Sequence, residues 1–138
     1  MANGHLFSSG TDSCMGATIT YENGGIATVA TNSHGLFDSA KAQVHGTKGS
    51  ITMHFPFWSA TKITTPEGDF EFDVPKTKLD FNFINCAYLA YEAHHVRECL
   101  EKGLLESPVI PMSESIILAE ILETIRKQVG NHLPQDQE

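Results

Sequence analysis

The segment Glu92-Ala93-His94-His95 has the Glu-x-x-His spacing that di-metal carboxylate helices use, because residues three apart on a helix point to the same side. Such a site needs a second helix of the same kind and further carboxylates. The helical pattern that follows Ser113 supplies no histidine, so His94 and His95 read as surface residues and no metal, zinc and iron included, is expected. The chain has 7 histidines, His5, His34, His45, His54, His94, His95 and His132, and they scatter over different segments. A pH switch would need several of them at one bistable contact. Gly46-Thr47-Lys48-Gly49-Ser50 has the composition of a phosphate loop, but a glycine follows its lysine and a strand follows that glycine, which is the order of a hairpin turn. Cys86 and Cys99 fall in apolar helical sequence without an obvious base, and no Gly-x-Ser-x-Gly elbow occurs, so no catalytic residue is expected. His54-Phe55-Pro56-Phe57-Trp58 is different. Strand alternation can turn only some of these closely spaced rings into one core face, which leaves at least one ring for a cleft. The alternative is that Trp58 covers a sheet edge or packs under a helix.

The elements that must position these residues follow from the pattern. Residues 13–22 and 25–33 are rich in Thr, Ile, Val and Ala and flank Asn23-Gly24-Gly25, which predicts a β-hairpin. Segments 40–45 and 50–55 form a second hairpin across Gly46 to Gly49, and 61–65 with 70–74 a third across Pro66-Glu67-Gly68-Asp69. Past residue 85 the period changes. Leu89, Ala93, Val96 and Leu100 mark one helical face, with Gly103 as its stop. A second helix is expected from Ser113, acting as N-cap, with the stripe Leu118, Ile121, Leu122, Ile125 and Val129 and a stop at Gly130. Strands first and helices after predict an α+β fold, an open antiparallel β-sheet with helices on one face. One domain over residues 1–130 and a frayed tail over 131–138 are expected.

Composition limits the partners. Lys and Arg number 9 against 17 Asp and Glu, a net charge of -8, and that field repels nucleic acid and anionic membrane surfaces. The 3 cysteines show no CxxC spacing, so a disulfide framework and a zinc knuckle are both excluded and a reducing cytoplasm fits. No run of membrane-spanning length and no signal-peptide pattern is present, so neither membrane nor secretion is expected. Without a Gly-x-Gly-x-x-Gly the chain alone is expected to bind no dinucleotide.

The run from Tyr91 to Gly103, then Glu106-Ser107-Pro108-Val109-Ile110-Pro111, Ser113-Glu114-Ser115, Ile125-Arg126-Lys127 and the closing Pro134-Gln135-Asp136, closely resembles the dimeric dihydrodiol dehydrogenases of the Gfo/Idh/MocA type. Val44-His45-Gly46-Thr47-Lys48-Gly49 and Pro56-Phe57-Trp58 extend the resemblance upstream. It implies an NADP-linked oxidoreductase acting on trans-dihydrodiols of aromatic hydrocarbons and on aldoses such as D-xylose. A Rossmann domain would precede the open-sheet, C-terminal domain that this chain matches. By the same resemblance Trp58 and Phe83 line the substrate pocket, NADP belongs to the full-length family, and subunits pair as a homodimer through the sheet face. The rival reading is a stand-alone sheet-mediated dimerisation or interaction module without catalysis.

Overall fold

The turn at Asn23-Gly24-Gly25 closes as its residues require. The Gly24 amide donates to the Tyr21 carbonyl at 2.9 Å, and the Asn23 side-chain oxygen accepts from Gly25 at 3.0 Å. In the computed structural model, residues 1–35 and 40–137 are described, and the chain divides into two compact units, Met1–Gly35 with Pro108–Glu138, and Leu36–Ser107. The fold is α+β, with open antiparallel sheets, one in each unit.

In the first unit β1 (Ala2–Leu6), β2 (Asp12–Thr20) and β3 (Ile26–Asn32) pair antiparallel in that order. The register sets Ala17 opposite Val29 and Ile19 opposite Ala27, so one face of β2 carries Ser13, Met15, Ala17 and Ile19. Ser13 and Ala17 are buried there, and the Ser13 hydroxyl is satisfied by the His5 carbonyl at 2.9 Å. The helix that covers this face lies against β1 and β2, with Ile121, Ile125 and Val129 half-buried at spacings of one helical turn. It spans Met112–Val129 and is α2 in chain order.

In the second unit β4 (Ala42–Gly46), β5 (Gly49–Met53), β6 (Lys62–Thr65) and β7 (Gly68–Glu71) form an antiparallel meander in chain order. A 3-10 turn, Phe57–Ser59, joins β5 to β6. Another, Cys86–Tyr88, leads into α1, Leu89–Glu101. Both helices end as expected. Gly103 and Gly130 take φ of 69° and 85°, and the following amides of Leu104 and Asn131 reach back to Cys99 and Arg126 at 2.9 Å and 3.1 Å, the bonding of a Schellman stop.

Several expectations are corrected. β1 was not anticipated, because Ala-Asn-Gly-His-Leu lacks the β-branched residues that announce a strand. α2 starts before Ser113: the extended Pro111 caps it, and the Pro111 carbonyl accepts from Glu114 and Ser115 at 3.1 Å and 3.3 Å. On α1 the face expected to be covered is open, with Leu89, Val96 and Leu100 at 65%, 50% and 69% exposure. Cover falls instead on Cys99, buried, and on His95, whose Nε2 shares hydrogen bonds with Ser107 Oγ at 2.7 Å and Cys99 Sγ at 3.5 Å. The tail is held, not frayed. Arg126 grips Asp136 through both terminal nitrogens at 2.7 Å and 2.8 Å, and Asp136 also accepts from the Leu133 amide at 2.7 Å. The last tail residue, Glu138, lies outside the described residues.

Candidate functional site

His54 follows β5 and begins the aromatic segment, and a chain of polar contacts fixes it to the sheet. His54 Nε2 meets Thr64 Oγ1 at 2.8 Å, Thr64 donates to Asp69 at 2.7 Å, and Lys62 pairs with Asp69 at 2.6 Å. The Lys62 ammonium, then the Thr64 hydroxyl, hold the Asp69 carboxyl below its ordinary range. From this anchored residue the chain enters Phe55-Pro56-Phe57-Trp58. Trp58 stands edge-on to Phe55 and to Phe57, with ring centroids 5.9 Å and 5.5 Å away.

Phe55 and Trp58 of this cluster form one side of a cavity of about 650 Å³ within the second unit. Trp58 and Phe83, the two residues singled out in the sequence, both line it, together with Phe55, Ile84 and Leu89. They remain open to solvent, at 54% and 76% exposure. The structure therefore brings these two together from positions 25 apart in the chain, 58 and 83, by folding the entrance of α1 back beside the 3-10 turn that carries Trp58.

The polar part of the lining was not singled out for this cavity in the sequence. Asn85 takes a left-handed backbone, φ 57° and ψ 19°, a conformation Asn tolerates better than other side-chain-bearing residues, and starts the 3-10 turn into α1. Its amide donates to the Ser59 carbonyl at 3.0 Å and ties the two walls together. The Ser59 hydroxyl is enclosed and has no hydrogen-bond partner among the described residues. Tyr88 donates to the Phe72 carbonyl at 3.1 Å, and burial, then Tyr91, then Asp73, push its phenol up, so it stays a protonated donor. Glu92 completes the lining from the first turn of α1. The helical spacing of Asn85, Tyr88, Leu89 and Glu92 is the sequence signal that would have grouped them. Glu92 and His95, whose spacing suggested a metal, are separately engaged: Glu92 lines the cavity and His95 bonds Ser107 and Cys99.

Of the groups implied by the resemblance, a dinucleotide is not fitted by the helix N-termini among the described residues. Its pyrophosphate needs amides at a helix N-terminus behind a glycine-rich turn. Here α1 and α2 open from Tyr88 and Pro111 and carry Glu92 and Glu114 in their first turns, which repel an anion.

An α+β chain with an aromatic-walled cavity has its relatives among dehydrogenases. It is 42% identical over 136 residues to the trans-1,2-dihydrobenzene-1,2-diol dehydrogenase of Bos taurus, covering 98% of this chain and 40% of that protein. The Mus musculus protein of the same name is 40% identical over 142 residues, with the same two shares, 98% and 40%. The Homo sapiens protein is 49% identical over 98 residues, 71% of this chain and 29% of its own length. The chain belongs to the trans-1,2-dihydrobenzene-1,2-diol dehydrogenase family, and spans well under half the length of the relatives it matches. No protein-family model matches it. No helix among the described residues is long and apolar enough to cross a membrane.

Proposed function

We propose that this chain is the substrate-facing, C-terminal domain of an NADP-dependent oxidoreductase that oxidises trans-dihydrodiols of aromatic hydrocarbons, aldoses such as D-xylose, or both. The observation that carries this reading is the cavity shared by Trp58 and Phe83 in a chain whose relatives are named for a dihydrobenzenediol. Two ring faces beside an apolar pocket suit one face of a cyclic diol or a sugar, by stacking and by exclusion of water. Trp58 and Phe83 bind and orient the substrate in this reading. They transfer no proton.

NADP would supply the hydride acceptor, and it belongs to a nucleotide-binding domain of the Gfo/Idh/MocA type outside the residues described, since these do not fit its pyrophosphate. The NADP link, the homodimer through the sheet face and a cytoplasmic location rest on the sequence resemblance and on the composition. The outer strands β1, β3, β4 and β7 have one neighbour each in their sheets among the described residues, which supports the rival reading of a sheet-mediated interaction module. The two readings separate in a titration. Trp58 is the single tryptophan of the chain, so its emission reports on the cavity. A saturable change on adding trans-1,2-dihydrobenzene-1,2-diol is expected, and an unchanged spectrum up to the solubility limit would leave only the interaction module.

A further inference from the structure

The cavity wall contains one carboxylate and no cationic side chain, and the Asn85 and Tyr88 side chains in it already bond within the protein. Asn85 gives an amide N–H to the Ser59 carbonyl and Tyr88 its hydroxyl to the Phe72 carbonyl, while the Ser59 hydroxyl is enclosed. Glu92 is exposed and makes no ion pair or hydrogen bond among those described. The cations that follow it on α1 are engaged with other partners: Arg97 pairs with Glu101 at 3.2 Å and Lys102 with Glu98 at 3.7 Å. Glu92 therefore brings two unoccupied acceptor oxygens to an apolar, aromatic pocket.

On this basis we propose that Glu92 is the specificity-determining residue of the pocket, accepting hydrogen bonds from both hydroxyls of a vicinal diol whose ring lies on Trp58 and Phe83, and rejecting anionic rings. The proposal rests on the reading of the cavity as a substrate pocket. A carboxylate takes two O–H donors at once, one on each oxygen, so a diol gains a bond that a mono-ol lacks. An anion of the same shape meets like charge beside an apolar wall. A phosphorylated or carboxylated ring is thus excluded, and a neutral polyol admitted.

The test uses the 138-residue chain, Trp58 emission and three ring probes: trans-1,2-cyclohexanediol, cyclohexanol and benzoate. The diol is expected to bind about tenfold more tightly than cyclohexanol, the scale of one further hydrogen bond to a charged group. In Glu92→Gln that ratio falls to within about twofold, and in Glu92→Leu it vanishes, while benzoate binds both variants more tightly than the parent. Because the Glu92 side chain is exposed, both variants keep the parent's far-ultraviolet circular dichroism. If the parent and both variants hold the same diol to mono-ol ratio, and benzoate is indifferent to the change, Glu92 does not set specificity although the pocket stands. If none of the ring probes alters Trp58 emission in the parent, the pocket reading itself fails, and this proposal with it.

Discussion

Replacing Gly4 by alanine tests the packing of α2 on its sheet. A methyl group built on Gly4 would lie 2.6 Å from the Cys14 carbonyl oxygen, 3.0 Å from Met15 Cβ and 3.0 Å from Val129 Cγ1. The first of these is backbone in the central strand, so relief requires β1 or the end of α2 to move. Overpacking of this kind costs about 1–3 kcal/mol. The alanine also stiffens the unfolded chain, which returns about 0.4–1 kcal/mol. The net expectation is a loss of about 1–2 kcal/mol, seen as a drop of roughly 5 °C in Tm by circular dichroism for a chain of this size. Gly16→Ala is the control, since a methyl there would meet only the Val29 carbonyl at 3.9 Å and should leave Tm nearly unchanged. If Gly4→Ala melts with the parent, or above it, then α2 does not press on β1 as described. Equal losses in the two variants would instead point to a general intolerance of side chains in the sheet.

Asp136 gives a pH signature. Its carboxyl is lowered from 3.8 to about 2, first by the Arg126 guanidinium and then by the Leu133 amide, so the clamp it makes is complete above about pH 4 and is lost as pH falls toward 2. Protection of the amides over residues 131–136, taken against their intrinsic exchange rates at each pH, should fall across that window, and Asp136→Asn should show the low protection already at neutral pH. The cysteines should differ in reactivity: Cys14 and Cys86 are half-buried and Cys99 is buried, so brief iodoacetamide treatment followed by mass spectrometry should find Cys99 the least modified. Leu100→Gln, on the open face of α1, should change unfolding free energy by no more than about 0.5 kcal/mol in urea titrations, whereas a loss of several times that would mean the face is covered in solution.

The sequence carried the helices better than their orientation. Gly103 and Gly130 could be read as stops because few other residues adopt the backbone that a Schellman stop needs. The stripe Leu89, Ala93, Val96 and Leu100 was equally visible, yet periodicity says which side chains would gain from cover, not whether this chain supplies it. His95 and Cys99 are covered because Ser107 and the turn after Gly103 fold back onto them, a contact with no periodic signal. β1 was hidden because its residues are weak strand formers, and its place comes from pairing with β2, from Gly4 fitting beneath Val129 and from the Gln128 side chain taking the Ala2 amide at 2.6 Å. At the site, the aromatic residues stood out by type. Asn85 and Ser59 did not, and Glu92 stood out only for a metal spacing, because their places in this cavity depend on a left-handed kink and on two walls meeting through space.

The grip of Arg126 on Asp136 fixes how residues 131–136 leave α2. With the guanidinium also held by Glu123 at 2.7 Å and by the Asn131 carbonyl at 2.7 Å, the final turn, Pro134–Gln137, is moored to the last turn of α2. Whatever continues past this turn would therefore leave from a fixed berth.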